Sequence, residues 1–171
     1  MIKWNLLIAT ATSLAISISP ACAVPAPKVS ITSLSQLATP LPLPYNADAN
    51  ASAAVDAAFA RAKASGKRVL IDMGGNWCGD CRILSGLMAL PEIKSFVTAH
   101  YEVVIVDVGR FNKNLQIPAR FGITTKLEGV PAVIVAEPDG TFVDKGHIFA
   151  LADARHMDPQ SIVDWLAEWA K

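Results

Sequence analysis

The pentapeptide Trp-Cys-Gly-Asp-Cys at residues 77–81 constrains this chain more than any other feature. The apolar run 69–73 before it is typical of a buried strand, and the run 82–90 after it has a helical pattern. Two cysteines separated by two residues at a strand-to-helix junction are typical of a dithiol/disulfide exchange site. We therefore predict that Cys78 and Cys81 form a redox-active pair.

The first 23 residues predict export. A positive Lys3, an uncharged apolar run over residues 6–18 and an Ala-Cys-Ala cleavage pattern at 21–23 are the parts of a secretory signal peptide. We expect residues 1–23 to be removed. Two alternatives place the protein at a membrane instead, namely an uncleaved signal anchor and lipidation of Cys22.

Charge and cysteine content exclude two classes of function. The chain has 15 basic and 15 acidic residues, and this balance gives no support for nucleic-acid binding, which needs a basic face. Loss of Cys22 with the signal leaves two cysteines, and His100, His147 and His156 have no zinc-ligand spacing relative to them. We expect no metal and no nucleic-acid partner.

The rest of the chain divides into a Pro-rich stretch, residues 24–47, and an α/β domain, residues 48–171. Alternating Pro and Leu favours an extended chain, which we interpret as a tail or tether. The alternative is that Leu41 and Leu43 pack into a groove. The elements predicted after it are a helix over 48–65, a strand over 69–73, a helix through Leu90, a strand over 101–108, a short helix within 112–122, strands over 130–135 and 141–143, and a helix from Asp158. Pro91 either kinks the helix that runs through Leu90 or starts a new turn.

This order of elements resembles the thioredoxin fold over residues 67–171. The Trp-Cys-x-x-Cys motif, an acid at Asp72 six residues before the first cysteine, the dipeptide Val130-Pro131 and Gly146 all match that family. The resemblance implies an α/β fold with a central mixed sheet flanked by helices, here with an extra N-terminal helix. The chain is similar to a subgroup of exported bacterial thioredoxin-like proteins.

Thiol chemistry assigns different roles to the two cysteines. The attacking species is a thiolate, and the N-terminal end of a helix stabilises that anion, so we assign Cys78 as the nucleophile. Cys81 lies on the same helical face and is assigned as the resolving thiol. A purely structural disulfide is the weaker alternative, because so short a loop removes little entropy from the unfolded chain.

Asp72 is the third candidate catalytic residue. A carboxylate within an apolar strand is costly to bury, so we expect its pKa to rise. The resemblance implies that it assists proton transfer to or from Cys81. The alternative is a solvated strand end beside Lys67 or Arg68.

The residues within and before the cysteine pair are candidates for redox tuning. Gly79-Asp80 departs from the Gly-Pro usual in the family. A carboxylate at Asp80 suits the helix dipole but repels a Cys78 thiolate, by about 1 kcal/mol at about 4 Å in water. Our hypothesis is that Asp80 makes the site more reducing. Trp77 either covers the cysteines as an apolar contact surface or serves in packing alone.

The dipeptide Val130-Pro131 is the candidate substrate-binding element. The resemblance implies a cis bond beside the dithiol, with Val130 offering backbone groups to an extended substrate. The alternative is an ordinary proline at a strand start. The stretch 109–129 is longer than in the shortest thioredoxins, so the family gives no guide to its contacts.

These features together predict a periplasmic thiol–disulfide oxidoreductase, most simply a monomer, that exchanges disulfides with the cysteines of exported proteins. We favour a reductant, recharged by a membrane dithiol donor, with no cofactor beyond the Cys78–Cys81 disulfide. The alternatives are a disulfide-forming oxidant and a redox-inactive binding or chaperone module on the same scaffold. Intact Cys78 and Cys81 argue against the binding module, since binding alone needs neither thiol.

Overall fold

A computed structural model of the chain describes residues 24–171, and the predicted signal peptide, residues 1–23, lies outside the described residues. The predicted fold class is confirmed, because a mixed sheet is flanked by helices with an additional helix at the N-terminal side. Within residues 24–171, no helix is both long enough and apolar enough to cross a membrane.

The sheet has three strands in the order β2-β1-β3. The central strand β1 (Arg68–Gly74) pairs in parallel with β2 (Tyr101–Asp107) and antiparallel with β3 (Ala132–Ala136). Strands β1 and β3 are rich in Val and Ile and are buried almost throughout, as expected for strands covered on both faces. The chain leaves the carboxyl end of β1 directly into the cysteine motif.

The described helices follow the sequence prediction closely. Asn50 caps the first helix through its side chain, and Gly66, with φ +77°, ends it in a left-handed conformation. That helix therefore begins three residues later than the predicted start at Asp48. The α-helices are α1 (Ala51–Ser65), α2 (Gly79–Met88), α3 (Pro91–His100), α4 (Gln116–Ala119) and α5 (Pro159–Glu168), with 3-10 turns at Leu34–Gln36 and Ala154–His156.

Apolar side chains from the two faces of the sheet form two clusters. Ile71 joins Val55 of α1 in one cluster, which also contains both cysteines of the motif. Leu70, which points to the opposite face, joins Leu84 of α2 and Ile162 of α5 in the other. The N-terminal end of α2, where the cysteines lie, is thus fixed by packing at the edge of both clusters.

Residues 24–47, here called the N-terminal segment, pack against the domain, as in the alternative in which Leu41 lies in a groove, whereas Leu43 is 64% exposed. Val29, Leu37 and Tyr45 are buried. The backbone N–H of Val29 donates a hydrogen bond of 3.0 Å to the side chain of Gln160 in α5. The prolines keep the chain extended, and the apolar residues between them reach the surface of the helices.

The predicted strand over residues 141–143 is also wrong, since only an isolated bridge joins Phe142 to Ala136. The backbone N–H of Val143 donates to the carbonyl of Val135 at 3.0 Å. The N–H of Val135 itself, however, donates to the carboxylate of Asp144 at 2.8 Å. The side chain of Asp144 thus takes the place of a backbone acceptor, so the strand pairing ends at Val135.

Candidate active site

The cysteine pair lies at the N-terminal end of α2 and forms a disulfide, with a Cα–Cα distance of 5.3 Å. Cys78 is the N-cap residue, and its sulfur accepts a hydrogen bond of 3.1 Å from the backbone N–H of Cys81. Cys78 retains 5% of its surface, whereas Cys81 is fully buried. Cys78 is therefore the one of the two that retains any exposed surface, and its sulfur faces the helix N-terminus.

The loop before β3 brings the predicted substrate-binding dipeptide to the same sulfur. The carbonyl oxygen of Val130 lies 3.4 Å from Sγ of Cys78, and the Val130–Pro131 peptide bond is cis. In the disulfide this is a contact between sulfur and oxygen, since Sγ carries no proton. After reduction the Cys78 thiol is within reach of the same carbonyl as a donor.

Asp72 is fully buried in the middle of β1, and the alternative of a solvated strand end is wrong. Burial raises its pKa to about 7, and a hydrogen bond from Tyr45 opposes part of that rise. The two cations considered as neighbours are engaged elsewhere. Lys67 donates to the backbone carbonyl of Thr98, and Arg68 donates to Glu137.

Tyr45, from the N-terminal segment, is the site residue that sequence reasoning missed. Its hydroxyl lies 2.9 Å from each carboxylate oxygen of Asp72 and donates to them. Tyr45 is 2% exposed, and burial beside Asp72 raises its pKa, so the phenol stays protonated as a donor. The only hint in the sequence is an aromatic residue at the end of a Pro-rich stretch.

Gly74 shows how closely this pair approaches the cysteines. A Cβ placed on Gly74 would lie 2.7 Å from Sγ of Cys81 and 2.7 Å from the hydroxyl oxygen of Tyr45. The buried sulfur and the phenol therefore border the same small space. The absence of a side chain at Gly74 is what allows them to do so.

Asp80 does not carry the isolated charge that the sequence hypothesis assumed. Its carboxylate accepts hydrogen bonds from Nε of Arg155 at 2.8 Å, from Nη2 at 2.6 Å and from the backbone N–H at 2.9 Å. Although partial burial opposes it, this pairing with Arg155 holds the pKa of Asp80 below its usual range. A Cβ on Gly79 would lie 3.1 Å from Nη2, so the guanidinium also covers the backbone between the cysteines. Repulsion of a Cys78 thiolate by Asp80 is thus offset by a cation on the same side.

Trp77 is 41% exposed and forms the rim of the site. Its indole N–H donates to the carbonyl of Gly109 at 2.7 Å, and the guanidinium of Arg110 lies 4.3 Å from its ring centroid. Phe111 meets the same indole edge to face. The stretch 109–129 therefore contributes to the surface around the cysteines through its first three residues.

The Thioredoxin-like family model matches residues 50–138. A thioredoxin from Alicyclobacillus acidocaldarius subsp. acidocaldarius is 31% identical over 80 residues, which are 47% of this chain and 68% of that protein. The thiol:disulfide interchange protein DsbD 1 of Pseudomonas aeruginosa is 31% identical over 89 residues, 50% of this chain but only 14% of that protein's length.

A solved structure extends the similarity beyond the matched family region. The disulphide isomerase from Xylella fastidiosa Temecula1 is 37% identical and superposes with a TM-score of 0.68, covering 74% of this chain and 96% of that one. The family match, the relatives and the buried acid below a Cys-x-x-Cys helix N-terminus agree with one another. The chain belongs to the thioredoxin-like family.

Proposed function

We propose that this protein is a thiol–disulfide oxidoreductase that reduces disulfides in exported proteins. The observation that carries the proposal is the position of Cys78, which caps α2, retains exposed surface and lies against the cis-proline loop. Similarity to a thioredoxin, to a thiol:disulfide interchange protein and to a disulphide isomerase supports the exchange chemistry.

The reaction begins with the dithiol form. The Cys78 thiolate attacks one sulfur of a substrate disulfide, so a Cys78–substrate bond forms and the other substrate sulfur leaves as a thiolate. The Cys81 thiolate then attacks Sγ of Cys78 and releases the second substrate sulfur. The substrate gains two electrons and, at neutral pH, two protons, while the enzyme is left as the Cys78–Cys81 disulfide. Two electrons from a dithiol donor, which we place at the membrane, return it to the starting form.

Each step has a supporting residue in the site. The N–H of Cys81 and the positive end of α2 stabilise the Cys78 thiolate. Asp72, with a pKa of about 7, is suited to accept the proton of the buried Cys81 thiol before the second attack. Val130 offers its backbone, and Trp77 an apolar surface, to an extended substrate segment.

Export and a periplasmic location are part of the proposal, supported by the signal-like pattern of residues 1–23 and by the exchange chemistry. Disulfides persist in oxidising compartments, which is where such an enzyme finds substrates. No cofactor beyond the Cys78–Cys81 disulfide is proposed.

Reduction of insulin disulfides tests the activity. With a small dithiol as electron source, we expect the wild type to accelerate insulin reduction and Cys78→Ser to abolish the acceleration. Equal rates with and without the wild-type protein would contradict the proposal and favour a redox-inactive binding module. Equilibration with glutathione then gives the direction of electron transfer. A reduction potential of about −270 mV fits a reductant, and one of about −120 mV fits an oxidant.

A further inference from the structure

The N-terminal segment carries Tyr45 into the interior of the active site. The Tyr45 hydroxyl lies 2.9 Å from both oxygens of Asp72, and the ring is almost completely buried. Tyr45 lies outside the region of the family match, which begins at residue 50. The Asp72 partner is thus supplied by a part of the chain outside the region that the family model matches.

Side chains on both sides of the cysteine pair hold this segment in place. The amide of Asn76, two residues before Cys78, accepts from the Tyr45 N–H at 3.0 Å and donates to the Tyr45 carbonyl at 2.8 Å. Arg82, the residue after Cys81, donates to the carbonyls of two residues of the segment. These are Pro42, at 3.2 Å from Nε, and Leu41, at 2.9 Å from Nη2. The position of Tyr45 is therefore fixed by the residues that directly flank the cysteine motif.

Among the groups around the Asp72 carboxyl, the hydrogen-bond donor is Tyr45. Ile105 of β2 and Val133 of β3, which flank Asp72 in the sheet, are apolar. Cys81 of α2 borders the phenol across the space above Gly74. The charge of Asp107, at the end of β2, acts on Tyr45 and favours its protonated form. No cation of residues 24–171 forms an ion pair with Asp72.

We propose that Tyr45 is a positioning residue that orients Asp72 and sets the pH range over which Asp72 exchanges a proton with Cys81. The inference deepens the proposed oxidoreductase function and rests on it for its catalytic meaning. A neutral phenol donates to the charged carboxylate and stabilises it without cancelling its charge. Asp72 therefore remains available as a base near neutral pH although it is buried.

The change Tyr45→Phe tests the inference, because it retains the ring and removes only the hydroxyl. Without that donor the carboxylate is less stable, so the Asp72 titration, followed by carboxyl NMR in the oxidised protein, should move upward by about one pH unit or more. The pH profile of single-turnover disulfide reduction should move upward in parallel. A titration that superposes on the wild type would overturn the inference.

Tyr101→Phe is the matched control. Tyr101 is equally buried, and its hydroxyl donates to the carbonyl of Leu166 at 2.6 Å, in contact with α5 instead of the site. We expect it to lose stability but to keep the wild-type pH profile. An upward shift of the same size in both tyrosine variants would mean that general loosening causes it, and would overturn the specific role of Tyr45.

Two further outcomes separate this inference from the proposed function. In an Asp72→Asn background Tyr45→Phe has no carboxylate to act on, so a profile shift that persists there would overturn the inference. If the wild type reduces no disulfide, the function is contradicted. The NMR titration then still decides the coupling, since a shift in Tyr45→Phe supports it and an unmoved titration overturns it.

Discussion

Arg155 binds Asp80 through its backbone N–H and two guanidinium nitrogens, at distances of 2.6–2.9 Å, although the two residues are 75 positions apart in the chain. The 3-10 turn Ala154–His156 that carries Arg155 is thereby joined to the first turn of α2. A residue between the two cysteines is thus linked by charge to a distant part of the fold.

Breaking this pair should make the site more reducing. In Arg155→Met the Asp80 carboxylate loses its cation and repels the Cys78 thiolate, so the reduced form is disfavoured and the thiol pKa rises. We expect the reduction potential to become more negative, by on the order of 20 mV. Equilibration with glutathione redox buffers, followed by mass spectrometry of alkylated protein, measures it.

Arg120→Met provides the comparison for Arg155→Met. It breaks the Asp56–Arg120 ion pair of 2.6 Å, which lies between α1 and the end of α4. The potential of that variant should match the wild type. A less negative potential in Arg155→Met, or equal shifts in both variants, would show that the Asp80 charge does not act on Cys78.

Asp72 should make the protein less stable as the pH rises. Its folded-state pKa of about 7 lies above the value of 3.8 expected when unfolded. The folded state therefore holds a proton that the unfolded state has lost, and stability falls between about pH 4 and pH 7. In Asp72→Asn this loss disappears. As the pH rises from 4 to 8, the free energy of unfolding of Asp72→Asn should therefore increase by roughly 2–4 kcal/mol relative to that of the wild type.

Urea unfolding at several pH values measures this difference for the oxidised proteins. Asp48→Asn makes the same chemical change at an exposed position before α1 and serves as the comparison. A difference between Asp72→Asn and wild type that stays constant with pH would mean that the buried carboxyl ionises with an ordinary pKa.

Gly74→Ala should damage the site by overpacking. The added methyl group would lie 2.7 Å from both Sγ of Cys81 and the Tyr45 hydroxyl, so one of them must move. We expect a loss of roughly 1–3 kcal/mol in the free energy of unfolding, together with slower insulin reduction. Thermal unfolding and the insulin assay measure the two effects.

Gly86→Ala is the control for the added methyl group. Gly86 lies within α2, and its Cβ would meet the ends of the Leu41 and Leu37 side chains at 3.2 and 3.4 Å and Cδ of Pro42 at 3.7 Å. The gain in helix propensity should offset that contact, leaving stability close to wild type. If Gly74→Ala were as stable and as active as Gly86→Ala, the close approach at Gly74 would be of no importance.

Cys81→Ser should trap a substrate. Cys78 can still attack a disulfide, but no second thiol resolves the mixed disulfide, so a covalent adduct accumulates. Mass spectrometry of Cys81→Ser mixed with oxidised insulin should show that adduct, which the addition of excess dithiol removes. Its appearance in Cys78→Ser at a similar yield would contradict the assignment of different roles to the two cysteines.

The sequence was most informative where the signal is local. The Cys-x-x-Cys spacing, the strand before it and the Asp-Pro start of α5 all lie within a few residues of the structure that they predict. A charge in an apolar run similarly marked Asp72 as buried. These features depend on backbone geometry and on periodicity, which a single sequence displays directly.

The side-chain pairs around the cysteines could not be predicted in this way. Tyr45 and Asp72 are 27 positions apart, and no spacing rule connects a tyrosine after a Pro-rich stretch to a carboxylate in a strand. The Pro-Leu alternation correctly indicated extended chain in the N-terminal segment. It contained no information on whether that chain is solvated or packed, because this depends on the helix surfaces that the segment meets.

The route of the N-terminal segment also determines where the protein can be shortened. Cutting at residue 48, the boundary that composition suggests, would preserve both cysteines, every strand and every α-helix. It would nevertheless remove Tyr45 and leave the buried Asp72 carboxyl without its hydrogen-bond donor. A protein shortened in this way would keep the fold but lack the donor that we propose orients Asp72, so we expect activity measured on it to be lower than that of the whole chain.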